Sequence, residues 1–284
     1  MPILIEPRTH DIGGLEVRRA VPTVQARSVG PFVFVDHIGP HVFAPGKAID
    51  VRPHPHIGLA TMTFLWEGTL RHRDSVGSVQ DIRPGDVNWM TAGRGIVHSE
   101  RTPDALRQDS HPIHGMQIWV GLPRAHEDTV PAFFHHPSRA LPRLQHAGAD
   151  ITVVAGRSFG EESPVTVFSD TLYASIELAA GSVLTLEPGH PERALYLVEG
   201  AALLDGAPIP NQRLIVLDRG TTHRLEASTA VRGMLLGGEP LDGPRHLFWN
   251  FVSSDHERIE QAKQDWKAGR FDAVPGETEF IPLP

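Results

Sequence analysis

The sequence predicts an all-β protein made of two similar halves, with one helix near the C-terminus. Three observations support this fold class. Glycine (27 residues) and proline (25 residues) are abundant, as expected for many short strands joined by turns. Helical periodicity is nearly absent before residue 250. A pattern of short segments occurs twice along the 284 residues, which indicates an internal repeat.

Six short segments are predicted to be strands because they are rich in β-branched and aromatic residues and are bounded by Gly, Pro or Asp. They are residues 32–39, 60–68, 115–122, 171–178, 194–200 and 213–218. Three lie in each half of the chain, so both halves are expected to be built from strands.

The predicted helix lies within residues 253–271. Ser254 is the expected N-cap, Glu257 at position N3 would complete a capping box, and Gly269 is a natural stop. Three apolar residues recur at helical spacing on one face: Ile259, Ala262 and Trp266. We expect this face to pack on the wall of a barrel.

The internal repeat is carried by two pairs of segments. Residues 64–68 resemble residues 196–200 at an offset of 132, and residues 95–98 resemble residues 220–223 at an offset of 125. Each copy runs from a strand through a Glu-Gly turn and further strands to a Gly-x-x-His motif. Two similar all-β domains are the simplest explanation.

The boundary between the domains is expected in residues 131–150, which combine turn-forming residues with no clear periodicity. We therefore predict an N-terminal domain at residues 1–135. The C-terminal domain, at residues 136–284, would include the helix and the tail.

Composition excludes several functional classes. The formal net charge is −8 without a basic stripe, so direct nucleic-acid binding is disfavoured, although contact with a DNA-bound protein is not. No run approaches the roughly 20 apolar residues needed to cross a bilayer, and the first residues do not resemble a secretory signal. The absence of cysteine excludes disulfides and thiolate ligands. We expect a cytoplasmic, monomeric protein.

The first half carries a candidate metal site. Residues i and i+2 of a strand point to the same face, so His54 and His56 can aim two imidazoles at one point. A His-x-His motif alone is weak, because surface or hydrogen-bonded histidines are commoner. His98 supplies a third imidazole and Glu100, again two residues on, a carboxylate. The two pieces together predict a metal site with these four ligands.

Three neutral imidazoles and one carboxylate leave two adjacent positions of an octahedron open. Such a set suits Fe(II), with Mn, Ni, Zn and Cu as alternatives, and it resembles the facial triads of non-haem iron oxygenases with one extra ligand. Other histidines are candidates for outer groups around the metal, although surface or hydrogen-bonded roles are preferred for most of them. They are His37, His72, His111 and His114.

The sequence around these residues resembles the pirin branch of the cupin superfamily. The resemblance spans essentially the whole chain and is carried by residues 17–22, 30–40, 54–68, 84–86, 89–100 and 274–284. It implies a bicupin, which is two cupin barrels (double-stranded β-helix or jelly-roll) in one chain, with one iron in the N-terminal barrel. The ligands that the resemblance implies are His54, His56, His98 and Glu100.

Two departures from the pattern affect the expected chemistry. The general cupin pattern has a Glu four residues after the second histidine, where this chain has Ala60, so a possible acid near the metal is missing. In the C-terminal half, apolar residues or proline stand at positions equivalent to metal ligands: Leu186, Pro188 and Leu225. We expect that barrel to hold no metal, and the roles of its His190 and His223 stay open.

The resemblance implies quercetin 2,3-dioxygenase activity, in which a flavonol ring is opened with O₂ and carbon monoxide is released. Glu100 is the candidate catalytic base, because it could accept the proton of the flavonol 3-hydroxyl. The expected partners are then a small aromatic substrate such as a flavonol, and O₂. The alternative is a redox-sensing regulatory protein that binds a transcription factor or a metabolic enzyme without turnover.

Overall fold

The structure of the chain is a computed structural model that describes residues 1–12 and 14–284. Strands make up 51% of the chain, and the single α-helix of the described residues lies near the C-terminus. The predicted all-β class with two cupin domains and a C-terminal helix is confirmed.

The strands of the first half, in chain order, are β1 (Ile3–Ile5), β2 (Arg8–Asp11), β3 (Glu16–Val21), β4 (Phe32–Phe43), β5 (Asp50–His56), β6 (Leu59–Glu67), β7 (Leu70–Asp74), β8 (Val79–Ile82), β9 (Val87–Thr91), β10 (Ile96–Arg101), β11 (His111–Gly121) and β12 (Ala132–His136). Those of the second half are β13 (Arg143–His146), β14 (Ala149–Ser158), β15 (Glu161–Glu162), β16 (Thr171–Leu178), β17 (Val183–Leu186), β18 (Glu192–Glu199), β19 (Ala202–Leu204), β20 (Ala207–Ile209), β21 (Arg213–Val216), β22 (His223–Ala227), β23 (Val231–Gly238), β24 (His246–Phe248) and β25 (Phe251–Ser253). The helix is α1 (His256–Lys267), and single 3₁₀ turns cover Asp104–Leu106, Arg124–His126 and Ser138–Ala140. All six predicted strand segments are confirmed.

The N-terminal barrel consists of two antiparallel sheets. The larger has the strand order β12-β9-β6-β11-β4-β3-β2, and the smaller has the order β5-β10-β7-β8. An apolar core joins them, because buried residues of both sheets pack together, among them Ile38 and Leu65 from the larger sheet and Leu70 and Ile82 from the smaller one. Burial of these side chains holds the small sheet against the large one.

The C-terminal barrel repeats this arrangement. Its larger sheet has the order β1-β21-β18-β23-β16-β14-β13, with β15 paired to β14, and its smaller sheet has the order β17-β22-β19-β20. Each strand from β4 to β11 thus has a counterpart twelve strands later. The two copies of the Glu-Gly motif follow the counterparts β6 and β18, and the Gly-x-x-His motifs lead into β10 and β22. The predicted internal repeat is therefore a repeat of topology as well as of sequence.

The chain also divides into two compact units, each assembled from several segments. One unit contains residues 1–8, 18–34 and 139–240, and the other contains residues 9–17, 35–138 and 241–284. The sequence boundary between residues 135 and 136 stays a prediction.

The N-cap of the helix differs from the predicted one. The carboxylate of Asp255 accepts a hydrogen bond from the backbone N–H of Glu257 at 2.9 Å, so Asp255 is the N-cap. The hydroxyl of Ser254 instead donates to Glu127 at 3.0 Å. The predicted capping box is therefore wrong, because a distant carboxylate binds the serine and Glu257 lies only two residues after the cap.

The apolar face of the helix packs as predicted. Ile259 and Ala262 are buried against Ile57 and Phe251, and Trp266 packs beside them. Gly269 has a φ of +66°, and the helix ends at Lys267, two residues earlier. In the described part of the chain, no helix is long and apolar enough to cross a membrane.

The C-terminal barrel should depend on its leucine core. Leu225→Ala removes a fully buried side chain that packs with Leu184 and Leu186. We expect the free energy of unfolding to fall by about 2–5 kcal/mol in a urea titration followed by circular dichroism. Leu203→Ala, at a partly exposed position of the neighbouring strand, is the control and should cost clearly less. Equal losses of unfolding free energy in the two variants would contradict this role of the leucine core.

Candidate metal centre

The antiparallel pairing of β5 with β10 brings the predicted histidines together. His98 lies directly opposite His54, and Ile96 lies opposite His56. Since His54 and His56 are two residues apart on one strand, their side chains share a face with that of His98. The register of this one strand pair thus converts two distant sequence motifs into one cluster.

A β-bulge in β5 lies beside the cluster. The register passes from the pair His98–His54 to the pair Glu100–Val51, so Arg52 and Pro53 both lie opposite one residue of β10. The carbonyl of Arg52, inside this bulge, accepts a hydrogen bond from Nδ1 of His54 at 2.9 Å. The bulge therefore fixes the orientation of the His54 ring.

The three imidazoles are close together and buried. Each offers a ring nitrogen such that the three nitrogens all lie within 4.8 Å of one another, and Nε2 of His56 is 3.1 Å from Nε2 of His98. The side chain of His54 is 7% exposed, and those of His56 and His98 are 1% exposed. This group of donors has the size and the chemistry of a metal site.

Hydrogen bonds orient the rings around the cluster. Nδ1 of His56 donates to the carbonyl of Asn250 at 3.2 Å, as Nδ1 of His54 does to Arg52. Nδ1 of His98 is 3.4 Å from Nδ1 of His72. With the proton of each ring on Nδ1, all three Nε2 atoms carry a free lone pair.

His72 belongs to a chain of hydrogen bonds behind His98. Its Nε2 donates to Oδ2 of Asp74 at 2.8 Å, which leaves Nδ1 to accept the proton of His98. Asp74 is fully buried and also accepts from the backbone N–H groups of Val76 and Ser78. Burial raises the pKa of Asp74, but the hydrogen bonds from His72 and Ser78 outweigh it and hold the pKa below its usual value. A carboxylate–histidine pair of this kind fixes the tautomer of a metal ligand.

The electrostatics of the cluster keep its histidines neutral. Burial lowers the pKa of His54 to about 4. Burial and the neighbouring imidazoles lower the pKa of His56 and of His98 well below the usual value. Neutral imidazole is the form that binds metal ions. The site is therefore ready to bind a cation without first losing protons near neutral pH.

Glu100 lies on the same face of β10 as His98, and opposite His72 on the neighbouring strand β7. One carboxylate oxygen accepts a hydrogen bond from the hydroxyl of Thr63 at 3.1 Å, and that hydroxyl is also 2.7 Å from the side-chain amide of Gln117. Burial raises the pKa of the Glu100 carboxyl. Glu100 is not among the groups within 4.8 Å of one another, so its role as the fourth ligand stays a prediction.

The donor set fits a divalent metal ion. In the tautomers set by their Nδ1 partners, the Nε2 atoms of His56 and His98 face each other at 3.1 Å as two acceptors without a proton between them. Two facing lone pairs repel in a buried site, and a shared cation removes that repulsion. His54, His56 and His98 would hold the metal.

Aromatic side chains border the cluster. The ring of Trp119 meets His56 edge-on, with 5.0 Å between ring centroids. Phe133 stacks on His72 with 4.3 Å between centroids and an interplanar angle of 14°. Phe133 is only partly buried, whereas Trp119 is buried.

Glycine leads the chain into the ligand strand β10. Gly93 has a φ of +51°, and an added Cβ atom would lie 2.0 Å from the carbonyl oxygen of Thr129. This close approach of backbone requires glycine.

The equivalent position of the C-terminal barrel has a different environment. His223 lies opposite Leu186, as His98 lies opposite His54, and its Nδ1 bonds Asp205 at 2.6 Å. Leu186 and Leu225 belong to an apolar core. His190 bonds Asp170 at 2.7 Å. Leu186 and Leu225 thus stand where His54 and Glu100 would, whereas Pro188 is exposed and lies beyond the end of β17. A barrel without metal stays a prediction.

Sequence reasoning found the three clustered histidines and named His72 among the candidate outer groups, but it missed the other partners. His72 lies beside His98 and is hydrogen-bonded, which is one of the two roles that the sequence favoured for it. His37, His111 and His114 are buried and take the hydrogen-bonded role: His37 pairs with His114 at 2.9 Å between Nε2 atoms, and Nδ1 of His111 donates to the carbonyl of Asp109 at 3.0 Å. Thr63, Gln117 and Asp74 carried no motif, and only the strand alternation that marks inward positions could have indicated them.

Family comparisons agree with the fold. The profile of the Pirin family matches residues 14–120, and that of the Pirin C-terminal cupin domain matches residues 173–272. A pirin-like protein of Caulobacter vibrioides is 48% identical over 99% of each chain. The pirin of Rattus norvegicus is 31% identical, over 89% of this chain and 87% of the rat protein.

A solved structure gives the same result. The crystal structure of quercetin 2,3-dioxygenase from Acinetobacter baumannii has a TM-score of 0.93 and 34% sequence identity, over 100% of this chain and 95% of that chain. Fold and site together define a bicupin with a buried, histidine-rich candidate metal centre. The chain belongs to the pirin family of the cupin superfamily.

The low pKa of His54 predicts a pH dependence for the metal-free protein. The folded pKa is about 4, and the unfolded value is roughly 6.5. Between these values the unfolded chain binds a proton that the folded state refuses, so stability falls as the pH falls from about 6.5 to 4. His54→Gln should remove up to about 1.4 kcal/mol per pH unit from this slope in urea titrations.

The exposed His146→Gln is the matched control and should keep the wild-type slope. A His54→Gln protein whose stability falls as steeply as that of the wild type would contradict the buried, neutral state of His54.

Proposed function

We propose that this pirin-family protein is an iron-dependent quercetin 2,3-dioxygenase. The observation that carries the proposal is the buried cluster of three neutral imidazoles, with Glu100 on the same strand face as His98. In the proposed reaction, one flavonol and one O₂ give one carbon monoxide and one depside ester. O₂ is the only oxidant, and no external reductant is needed.

Ferrous iron is the proposed cofactor. Imidazole nitrogens with one carboxylate suit iron, and such a set leaves positions open for ligands other than the protein. When bound, the metal would supply Lewis-acid and redox chemistry toward the flavonol and O₂. Binding of the cation would also stabilise the ionised form of Glu100, whose pKa burial raises in the metal-free protein.

The proposed base is Glu100. The ionised carboxylate of Glu100 can accept a proton, and the 3-hydroxyl of a flavonol is the proton donor in this hypothesis. The hydroxyl of Thr63 donates to one carboxylate oxygen, which leaves the other oxygen to take the proton. Gln117 can orient Thr63 through its side-chain amide.

Aromatic side chains support a flat substrate. Phe133 is partly exposed and stacks on His72, which lies directly beside His98. The ring of Trp119 meets that of His56 edge-on. A planar aromatic ring could therefore lie on an aromatic surface while its oxygen atoms reach the histidine cluster. The name of the similar Acinetobacter baumannii structure, quercetin 2,3-dioxygenase, agrees with this substrate class.

The N-terminal cluster should be responsible for both metal and turnover. We expect His98→Ala to lose bound iron and activity, because removal of one ligand opens a buried three-histidine site. Metal content is measured by elemental analysis, and turnover by the loss of flavonol absorbance when O₂ is admitted to an anaerobic mixture. His223→Ala, the counterpart in the C-terminal barrel, is the control and should keep both. Turnover in verified iron-free His98→Ala protein would refute the proposal.

A substitution at Glu100 should separate metal binding from turnover. We expect Glu100→Gln to retain metal on the three histidines but to lose about 10²–10⁴-fold in kcat, because glutamine cannot accept the proton. Steady-state kinetics with quercetin and release of carbon monoxide measure the effect. If the wild type binds iron but opens no flavonol ring, the regulatory alternative replaces the enzymatic one.

A further inference from the structure

The C-terminal segment (residues 274–284) lies outside the site described above. It contacts the outer face of the two strands that carry the histidines. On β10, His98 and Glu100 point inward, so the intervening Ser99 and the following Arg101 point outward. The segment binds both of these outward side chains.

Glu277 makes the central contact. Its carboxylate accepts from the hydroxyl of Ser99 at 2.8 Å, and from Nε and Nη2 of Arg101 at 3.1 and 2.6 Å. The paired contacts with one guanidinium form a bidentate ion pair, which is stronger and more directional than a single hydrogen bond. Arg101 also reaches Asp50 on β5 at 3.3 Å. One carboxylate of the C-terminal segment is thus linked to both ligand strands.

A second contact lies at the bulge of β5. The backbone N–H of Ile281 donates to the carbonyl of Pro53 at 2.8 Å. Pro53 precedes His54 directly, and the other bulge residue, Arg52, accepts the hydrogen bond that orients the His54 ring. The two carbonyls of the bulge therefore have different partners, with an imidazole on one and the C-terminal segment on the other.

The segment is itself anchored to the helix. The indole N–H of Trp266 donates to the carbonyl of Ile281 at 3.0 Å, and the ring of Trp266 meets that of Phe280 at 5.9 Å between centroids. Val274 is buried at the start of the segment. The helix thus provides a fixed support from which the segment reaches the strands.

We propose that the C-terminal segment positions the metal ligands, with Glu277 and Ile281 as positioning residues. Glu277 holds the part of β10 between His98 and Glu100, and Ile281 holds the bulge that orients His54. The segment sets the separation of the ligand strands, and hence the affinity for the metal and the geometry of its coordination. This inference rests on the metal centre of the proposed function.

The location of the contacts distinguishes positioning from general stabilisation. Ser99 lies between two predicted ligands in the sequence, and Pro53 is adjacent to a third. A shift of the backbone at these positions must move the attached imidazoles, because the ligands are on the same short strands. Replacing a residue that supports the metal ligands without binding the metal typically changes metal affinity by about 10–100-fold.

Cobalt(II) binding tests the proposal, because its visible absorption reports coordination geometry. We expect Glu277→Gln to weaken Co(II) binding about tenfold in a chelator competition and to change the visible spectrum. Ile281→Pro, which removes the N–H donated to Pro53, should act in the same direction. Glu279→Gln is the matched control, because Glu279 binds the same Arg101 at 2.9 Å but is 57% exposed. The Co(II) affinity of this variant should stay within about twofold of the wild-type value.

The thermal stability of each metal-free variant is measured in parallel. If Glu277→Gln lowers the melting temperature but binds Co(II) with wild-type affinity and spectrum, the segment only stabilises the fold and the positioning role is overturned. If the wild type itself does not bind Co(II), the metal centre of the proposed function fails, and the positioning role fails with it.

Discussion

The candidate site depends on the antiparallel pairing of β5 with β10. This register places His54 opposite His98, and the alternation of side chains along β5 adds His56 to the same face. A shift of one residue would turn the ligands of one strand away from those of the other. The bulge at Arg52 and Pro53 interrupts the ladder beside the cluster, and the carbonyl of Arg52 accepts a hydrogen bond from the ring of His54.

Burial decides the chemistry of the cluster. Three buried imidazoles cannot all take up a second proton, since desolvation and mutual repulsion both disfavour the charged forms. Each Nδ1 proton is used in a hydrogen bond to Arg52, Asn250 or His72. The remaining lone pairs then converge without a proton donor among them. The same arrangement that costs stability in the metal-free protein provides a site for a cation.

The sequence predicted the fold and the histidines because both depend on local periodicity and on two short motifs. Partners supplied by distant strands were not predictable in this way. Asp74 pairs with His98 through the register of β7 with β10, and Thr63 reaches Glu100 from β6. The predicted N-cap of the helix was wrong for the same reason. Adjacent serine and aspartate residues are both good caps, and a remote carboxylate decided between them.

The two barrels share one topology but differ in what fills their interiors. Leu186 and Leu225 fill the C-terminal barrel, where burial of apolar surface stabilises the interior directly. The N-terminal barrel instead buries imidazoles and carboxylates, and each of these needs a partner to offset its desolvation. Those partners extend outward through the bulge to the C-terminal segment. A barrel that exchanges leucine for histidine therefore needs more than new ligands, because the strands that carry them must be held from outside as well.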